Sequence, residues 1–278
     1  MPDASIPAQK DTDRYEITIV KYGTRKATRE GVYLNYHVYD EADAEIGMDY
    51  FFWVIRNGDR EILVDTGFSR KGGDARKRTF VLEPEDAFAR AGIDPATTPE
   101  IVLTHGHFDH IGNIAMFPRA HFTIARSEYD FWTGPNAHQK LFHHSIEDSE
   151  IADLTAAVDE GRVSFFSGEI EIAPGIRLIE VGGHTPGQAI VLVETDEGTV
   201  LLASDAIHYY EEYEKDMPFT SVADIVGMYD TFRLVRELVA SGEVSHVVSG
   251  HDPSTLSRFS PVTDGELAGI AATIGTLE

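Results

Sequence analysis

The chain has 278 residues, 42% of them hydrophobic and 25% charged, the balance of a globular protein able to bury a substantial core. Its 47 acidic and 23 basic side chains leave a formal net charge of −24, which argues against a nucleic-acid partner because phosphate binding needs a Lys/Arg footprint. It has no cysteine, which excludes disulfides, thiolate metal ligands and a cysteine nucleophile.

Residues 1–14 read as a poorly ordered tail: they carry early acids and no apolar stretch of the secretory kind. No later run approaches the roughly 18 apolar residues that span a bilayer, so no membrane partner is expected and the expected location is cytoplasmic. Residues 15–278 read as one hydrolase domain. The first strands are predicted at Tyr15–Val20 and Tyr50–Ile55. The second passes through Asn57-Gly58, a hairpin signal, into Glu61–Asp65. A short helix over Pro84–Ala91 is closed by Gly92.

Four apolar segments follow, each running into metal-capable residues: Ile101–Thr104 into His105, Arg177–Val181 through two glycines into His184, Thr199–Ser204 into Asp205, and Val247–Gly250 into His251. Short β-branched runs of this kind read as buried strands, and α/β sheets place their sites just past strand ends. Ser127–Glu160 has helical character. The clearest helix is Val222–Ala240, with Ser221 and Asp224 as a capping box, an apolar stripe through Val222, Ile225, Val226, Tyr229, Phe232 and Val235, and Gly242 as its stop.

The segment His105-Gly106-His107-Phe108-Asp109-His110 places four metal-capable side chains in six residues. Imidazole nitrogen with carboxylate oxygen suits Zn, Fe, Mn or Co, and Gly106 is expected to let the loop turn tightly. His184-Thr185-Pro186-Gly187, Ser204-Asp205 and Gly250-His251-Asp252 are weak alone, but in this order and at strand ends they form one constellation.

With Val64-Asp65-Thr66-Gly67, this constellation resembles the metallo-β-lactamase superfamily from about Tyr15 to His251. The resemblance implies an α/β (α+β) fold, an αββα sandwich of two mixed β-sheets flanked by helices. It implies two divalent metal ions, Zn2+ first among them with Fe, Mn or Co as alternatives. His105, His107 and His184 would hold one, Asp109, His110 and His251 the other, and Asp205 would bridge them. Asp65 would orient a ligand histidine by hydrogen bond.

Among the branches, thiolate-dependent β-lactamases need a cysteine. Flavo-diiron reductases carry a flavin domain, and RNA-processing members carry basic surfaces. Phe51–Ile55 with Glu61–Gly67, the stretch Ala125–Trp132, and Ser204-Asp205-Ala206 before a Tyr/Glu-rich segment resemble the N-acyl homoserine lactone lactonases. That resemblance implies a small-molecule lactone substrate opened by a hydroxide bridging the two ions, and a homodimer. Asp109 would pass the proton to the leaving group. Lactonases of this group place a tyrosine three residues after the bridging aspartate, where this chain has His208, followed by Tyr209 and Tyr210. Either His208 or a neighbouring tyrosine, Tyr209 first, would assist the carbonyl. A pyridine-fused lactone, a thioester, a phosphotriester or a non-catalytic metal protein are the alternatives. Tyr33, Tyr36, Phe51, Phe52, Trp53, Phe131 and Trp132 are candidates to line a substrate channel, and Arg70–Arg78 to hold an anionic group on the substrate.

Overall fold

The run Tyr50–Ile55 carries no charge and does not alternate, the pattern of a strand buried on both faces. A computed structural model, describing residues 14–58 and 60–276, shows why. Tyr50, Phe52 and Val54 point into one core, and Phe51, Trp53 and Ile55 into a second. The predicted tail over 1–14 lies outside the described residues except for Arg14.

The larger sheet comprises β1 (Glu16–Thr28), β2 (Glu45–Arg56), β3 (Glu61–Val64), β4 (Thr79–Phe80), β5 (Glu100–Val102), β6 (His121–Ala125) and β7 (Val163–Phe166). The smaller sheet holds β8 (Glu169–Ala173), β9 (Ile176–Glu180), β10 (Ala189–Thr195), β11 (Gly198–Ser204) and β12 (His246–Ser249). The chain then returns through β13 (Ser260–Pro261) and β14 (Ala271–Ile274) to the first sheet. The larger sheet runs β13-β14-β1-β2-β3-β5-β6-β7 with β4 beside β1; the smaller runs β12-β11-β10-β9-β8. Both are mixed: β3, β5, β6 and β7 pair in parallel, as do β11 and β12, while the other pairings are antiparallel.

Between the sheets, Ile17, Ile19, Trp53 and Val64 meet Leu178, Val191, Val200 and Leu202. The outer face of the larger sheet carries α1 (Arg29–Val32), α2 (Arg70–Ala75), α3 (Pro84–Arg90), α4 (Phe108–Ile111), α5 (Arg126–Trp132) and α7 (Asp148–Asp159), with Phe88, Ile111 and Leu154 in the outer core, while α6 (Lys140–His143) joins a separate small cluster through Phe142, with Phe131 and Trp132. After α8 (Tyr210–Lys215), α9 (Ile225–Ser241) covers the smaller sheet: Met228, Phe232, Val235 and Leu238 pack on Ile190, Leu192, Leu201 and Ala203. Helix, sheet, sheet, helix is the predicted layering. Each fully buried aliphatic or aromatic side chain contributes about 1.5–3 kcal/mol of transfer free energy.

The hairpin is present, with Arg56 opposite Glu61 and Asn57 tied to Arg60 by two hydrogen bonds. The helical character expected after Ala125 is present as three α-helices, α5, α6 and α7. The last long helix starts later than predicted. Its N-cap is Asp224, which accepts from Val226 N, while Ala223 N and Asp224 N donate to Gly183 O. Residues 221–224 are therefore diverted to the loop that carries His184. Val226, on the predicted stripe, is exposed.

Candidate metal centre

The four predicted strand ends converge. His105 follows β5, His107 and His110 flank the start of α4, His184 follows β9, Asp205 follows β11 and His251 follows β12, so the ligands come from both sheets. Two groups of ligand atoms form, His105, His107, His184 and Asp205 in one and Asp109, His110 and His251 in the other, with each group's atoms within 4.8 Å of one another. All seven side chains are buried.

Hydrogen bonds on the far side of the His110, His184 and His251 rings decide which nitrogen is left for a ligand. A carbonyl can only accept, so the bonds from Nδ1 of His184 to Ser221 O and from Nδ1 of His251 to Asp49 O, both 2.7 Å, place the proton on Nδ1. That leaves a lone pair on Nε2 of each. Nδ1 of His110 meets Asp65 Oδ2 at 2.7 Å, which is the orienting role predicted for Asp65. The same carboxylate accepts from Thr104 N and Oγ1, both at 2.8 Å, fixing the backbone ahead of His105. Nε2 of His105, His110 and His251 and Oδ1 of Asp205 are buried with no hydrogen-bond partner among the described residues. Orphaned polar atoms in such number are rare in folded proteins and fit metal ligands.

Asp205 faces both groups. Its Oδ2 lies 3.3 Å from His184 Nε2 and 3.7 Å from His105 Nε2, and its Oδ1 lies 3.0 Å from His251 Nε2 and 3.2 Å from His110 Nε2. Burial, then the neighbouring imidazoles, hold His105 and His107 well below the usual histidine range, in the neutral form that ligates. Burial alone would raise Asp205, but His251, His110 and His208 outweigh it and keep the carboxyl ionised.

His208 is brought into the cluster. Its Nε2 lies 3.1 Å from Asp205 Oδ2, its ring stacks on Phe219 at 3.9 Å, and Nδ1 meets Glu212 Oε1 at 3.1 Å. Burial opposes its charge, yet Asp205 and Glu212 push its pKa up to about 9. Tyr209 is not brought in: its hydroxyl donates to Gly47 O at 3.0 Å, and that of Tyr210 to Val247 O. Of the channel candidates, Phe131 and Trp132 line the site, whereas Tyr33, Tyr36, Phe51, Phe52 and Trp53 belong to the cores.

Sequence reasoning missed Glu212 and Glu128. The buried Glu128 carboxylate accepts from Gly106 N, Gly187 N and Trp132 Nε1, joining the two histidine loops. Gly106 is required by approach rather than by a turn: a Cβ there would lie 2.3 Å from Trp132 Cδ1. His144 is exposed and stands at the rim.

His107 and His184 open onto two cavities. One, of about 280 Å³, is walled by Phe131, Trp132, Leu141, Phe142 and Val222. The other, of about 260 Å³, holds Arg25, Arg76 and Arg78 beside Tyr50, Asp109 and Asp205. Among the described residues no helix is long and apolar enough to cross a membrane.

The model of the metallo-beta-lactamase superfamily matches residues 49–241. An N-acyl homoserine lactonase from Bacillus sp. is 28% identical over 215 residues, covering 72% of this chain and 80% of the relative. A solved quorum-quenching N-acyl homoserine lactone hydrolase superposes with a TM-score of 0.72 at 20% identity, covering 90% of this chain and 98% of the other. A dizinc quorum-quenching lactonase, AidC, solved with a product N-acyl homoserine, superposes at 0.69 and 20% identity, covering 95% of each. The match over 49–241, together with the fold and the constellation at its sheet ends, places this chain in the metallo-beta-lactamase superfamily.

Proposed function

We infer that this enzyme is a metal-dependent hydrolase that opens a lactone ring, with N-acyl homoserine lactones as the first candidates. One observation carries the reading: buried, unpartnered imidazole nitrogens and the two-faced Asp205 carboxylate meet beside a cavity. Its support from relatives is the lactonase named above, similar over most of its length.

His105, His107 and His184 would hold one divalent ion, Asp109, His110 and His251 a second, with one oxygen of Asp205 toward each. Such ions, Zn2+ first among them, supply Lewis acidity and a water acidic enough to act as hydroxide near neutral pH. The side chains supply the rest. His208 Nε2 donates to the carbonyl oxygen as charge builds there, and Phe219 and Glu212 keep its ring turned inward. Asp109, at the cavity edge, passes a proton to the leaving alkoxide. Water adds across the acyl C–O bond, so the oxygen it brings ends in a carboxylate and a proton ends on the alcohol.

A second lactone class, an aromatic ring of the pyridine-fused type, is favoured by one feature: the group facing the cluster after Asp205 is His208, not a tyrosine hydroxyl. The test is ring opening by metal-replete protein, followed by pH-stat on short- and long-chain acyl homoserine lactones and an aromatic lactone, with chelated protein as control. Chelator-sensitive opening of the acyl homoserine lactones is expected. Opening of the aromatic lactone alone selects the second class. Silence on all lactones, with turnover of a thioester or phosphotriester, overturns the lactone reading, and bound metal without any turnover overturns the enzyme reading.

A further inference from the structure

Cations are the minority in this chain, 23 against 47 acids, and most of those in the basic loop are matched to acids. Arg70 pairs with Asp74 and Glu83, Lys71 with Glu147, and Arg76 with Glu147 at 2.7 Å while also holding His144 O and Ile146 O. Arg76 is therefore committed to fastening the loop before α7. Arg78 is different. Its Nη1 donates to Arg76 O, its Nε is buried without a partner, and it makes no ion pair among the described residues. Its guanidinium lies 5.6 Å from the Tyr50 ring centre and 5.7 Å from that of Phe108.

Arg25, across the same cavity wall, likewise pairs with no carboxylate among the described residues; its Nε rests on Met48 Sδ at 3.0 Å, a weak acceptor. The acids that line this cavity are Asp109 and Asp205, both assigned to the metal ligands. Burying part of a guanidinium without an anion is costly, and an acidic protein has carboxylates to spare for pairing it. Two guanidinium groups left open toward the reacting centre fit an oxyanion, which planar N–H forks bind well.

We propose that Arg25 and Arg78 form an anion subsite, so that the preferred substrate is a lactone bearing a carboxylate or similar oxyanion away from the ring being opened. This rests on the lactone reading and narrows it, from neutral acyl homoserine lactones toward charged ones. The apolar cavity on the other side of His107 and His184 takes the uncharged part of the molecule.

The test compares γ-butyrolactone-γ-carboxylate with its primary amide, a pair of near-equal shape, on metal-replete parent, Arg25→Ala, Arg78→Ala and Arg78→Lys. Ring opening is read by pH-stat and binding by isothermal titration calorimetry. The parent is expected to prefer the carboxylate by about tenfold or more in kcat/KM, chiefly through KM, and less so as salt rises. In both alanine variants the preference falls toward one, and Arg78→Lys keeps part of it. A parent that treats the two alike, or a preference that survives both alanine substitutions, overturns the subsite. If neither ring is opened, the lactone reading fails and calorimetry decides alone: carboxylate binding lost with either arginine upholds the subsite, and binding equal in parent and variants overturns it.

Discussion

Asp205 gives each of its oxygens a different set of neighbours, so under the proposed two-ion reading the whole carboxylate is needed where half would serve a single ion. Asp205→Asn replaces one oxygen by an NH2 that meets imidazole lone pairs with a donor. The expected outcome is loss of at least one metal ion per chain, read by elemental analysis, and a fall in kcat/KM of at least about a hundredfold. Glu212 acts one step further out, on His208. Glu212→Gln keeps an oxygen for His208 N and Tyr209 N, each at 2.9 Å, but removes the charge opposite Nδ1. It should lower kcat about tenfold with KM and metal content held, a split that a merely structural role would not give. The candidate ligands were legible in the sequence because His105, His184, Asp205 and His251 stand just past apolar runs and His107, Asp109 and His110 crowd the block that His105 opens. Glu212 and Glu128 were not, since a carboxylate near a helix start looks the same whether it points to solvent, to a buried imidazole as Glu212 does, or to buried N–H groups as Glu128 does. Arg78 differs from Arg76 only in what lies opposite, and sequence holds no record of that.

At the scale of elements, α9 shows how a site redraws a boundary. Ser221–Ala223 have the composition of a helix start, yet their backbone serves the His184 loop, and the cap passes to Asp224. Asp224→Ala should cost about 0.5–2 kcal/mol in denaturant unfolding, with metal content kept, because the contacts to Gly183 and His184 are made by backbone. Another joint lies between α7 and the loop before α2, where Glu150 accepts from Ser69 Oγ at 2.7 Å. Burial, opposed by that hydrogen bond, pushes Glu150 up to about 7 from an ordinary 4.5. The folded state therefore binds this proton more tightly than the unfolded state, and stability falls as pH rises from about 4.5 to about 7. Glu150→Gln should flatten that part of the stability–pH curve and gain on the parent toward pH 8, as read by urea midpoints across pH 5–8. Strands ending in candidate ligands were legible as strands. A search keyed to such ends passes over β10, whose ends carry none, and over β14, whose Ala-Ala-Thr-Ile is recognisable only by its pairing with β1.

Across the whole molecule, the candidate ligands reach the centre from both sheets, so ions bound there would tie the two halves together at one edge. Because the unfolded chain has no such site, chelation should lower Tm by several degrees and excess Zn2+ should restore it, measured by differential scanning calorimetry. The four-layer order was legible through the superfamily resemblance, whereas sheet order depends on pairings between distant segments.

Those doubly buried strands carry a liability before the fold closes. Tyr-Phe-Phe-Trp-Val-Ile is a six-residue window of high β-propensity without charge, the kind of segment that seeds intermolecular stacking when a nascent chain leaves it uncovered. Asp49 and Arg56 stand at its two ends as gatekeepers, and β1 and β3 must close over its edges before it is safe. A protein this acidic repels its own copies in the meantime, so its surplus of carboxylates also shields the strand at the centre of its larger sheet during synthesis.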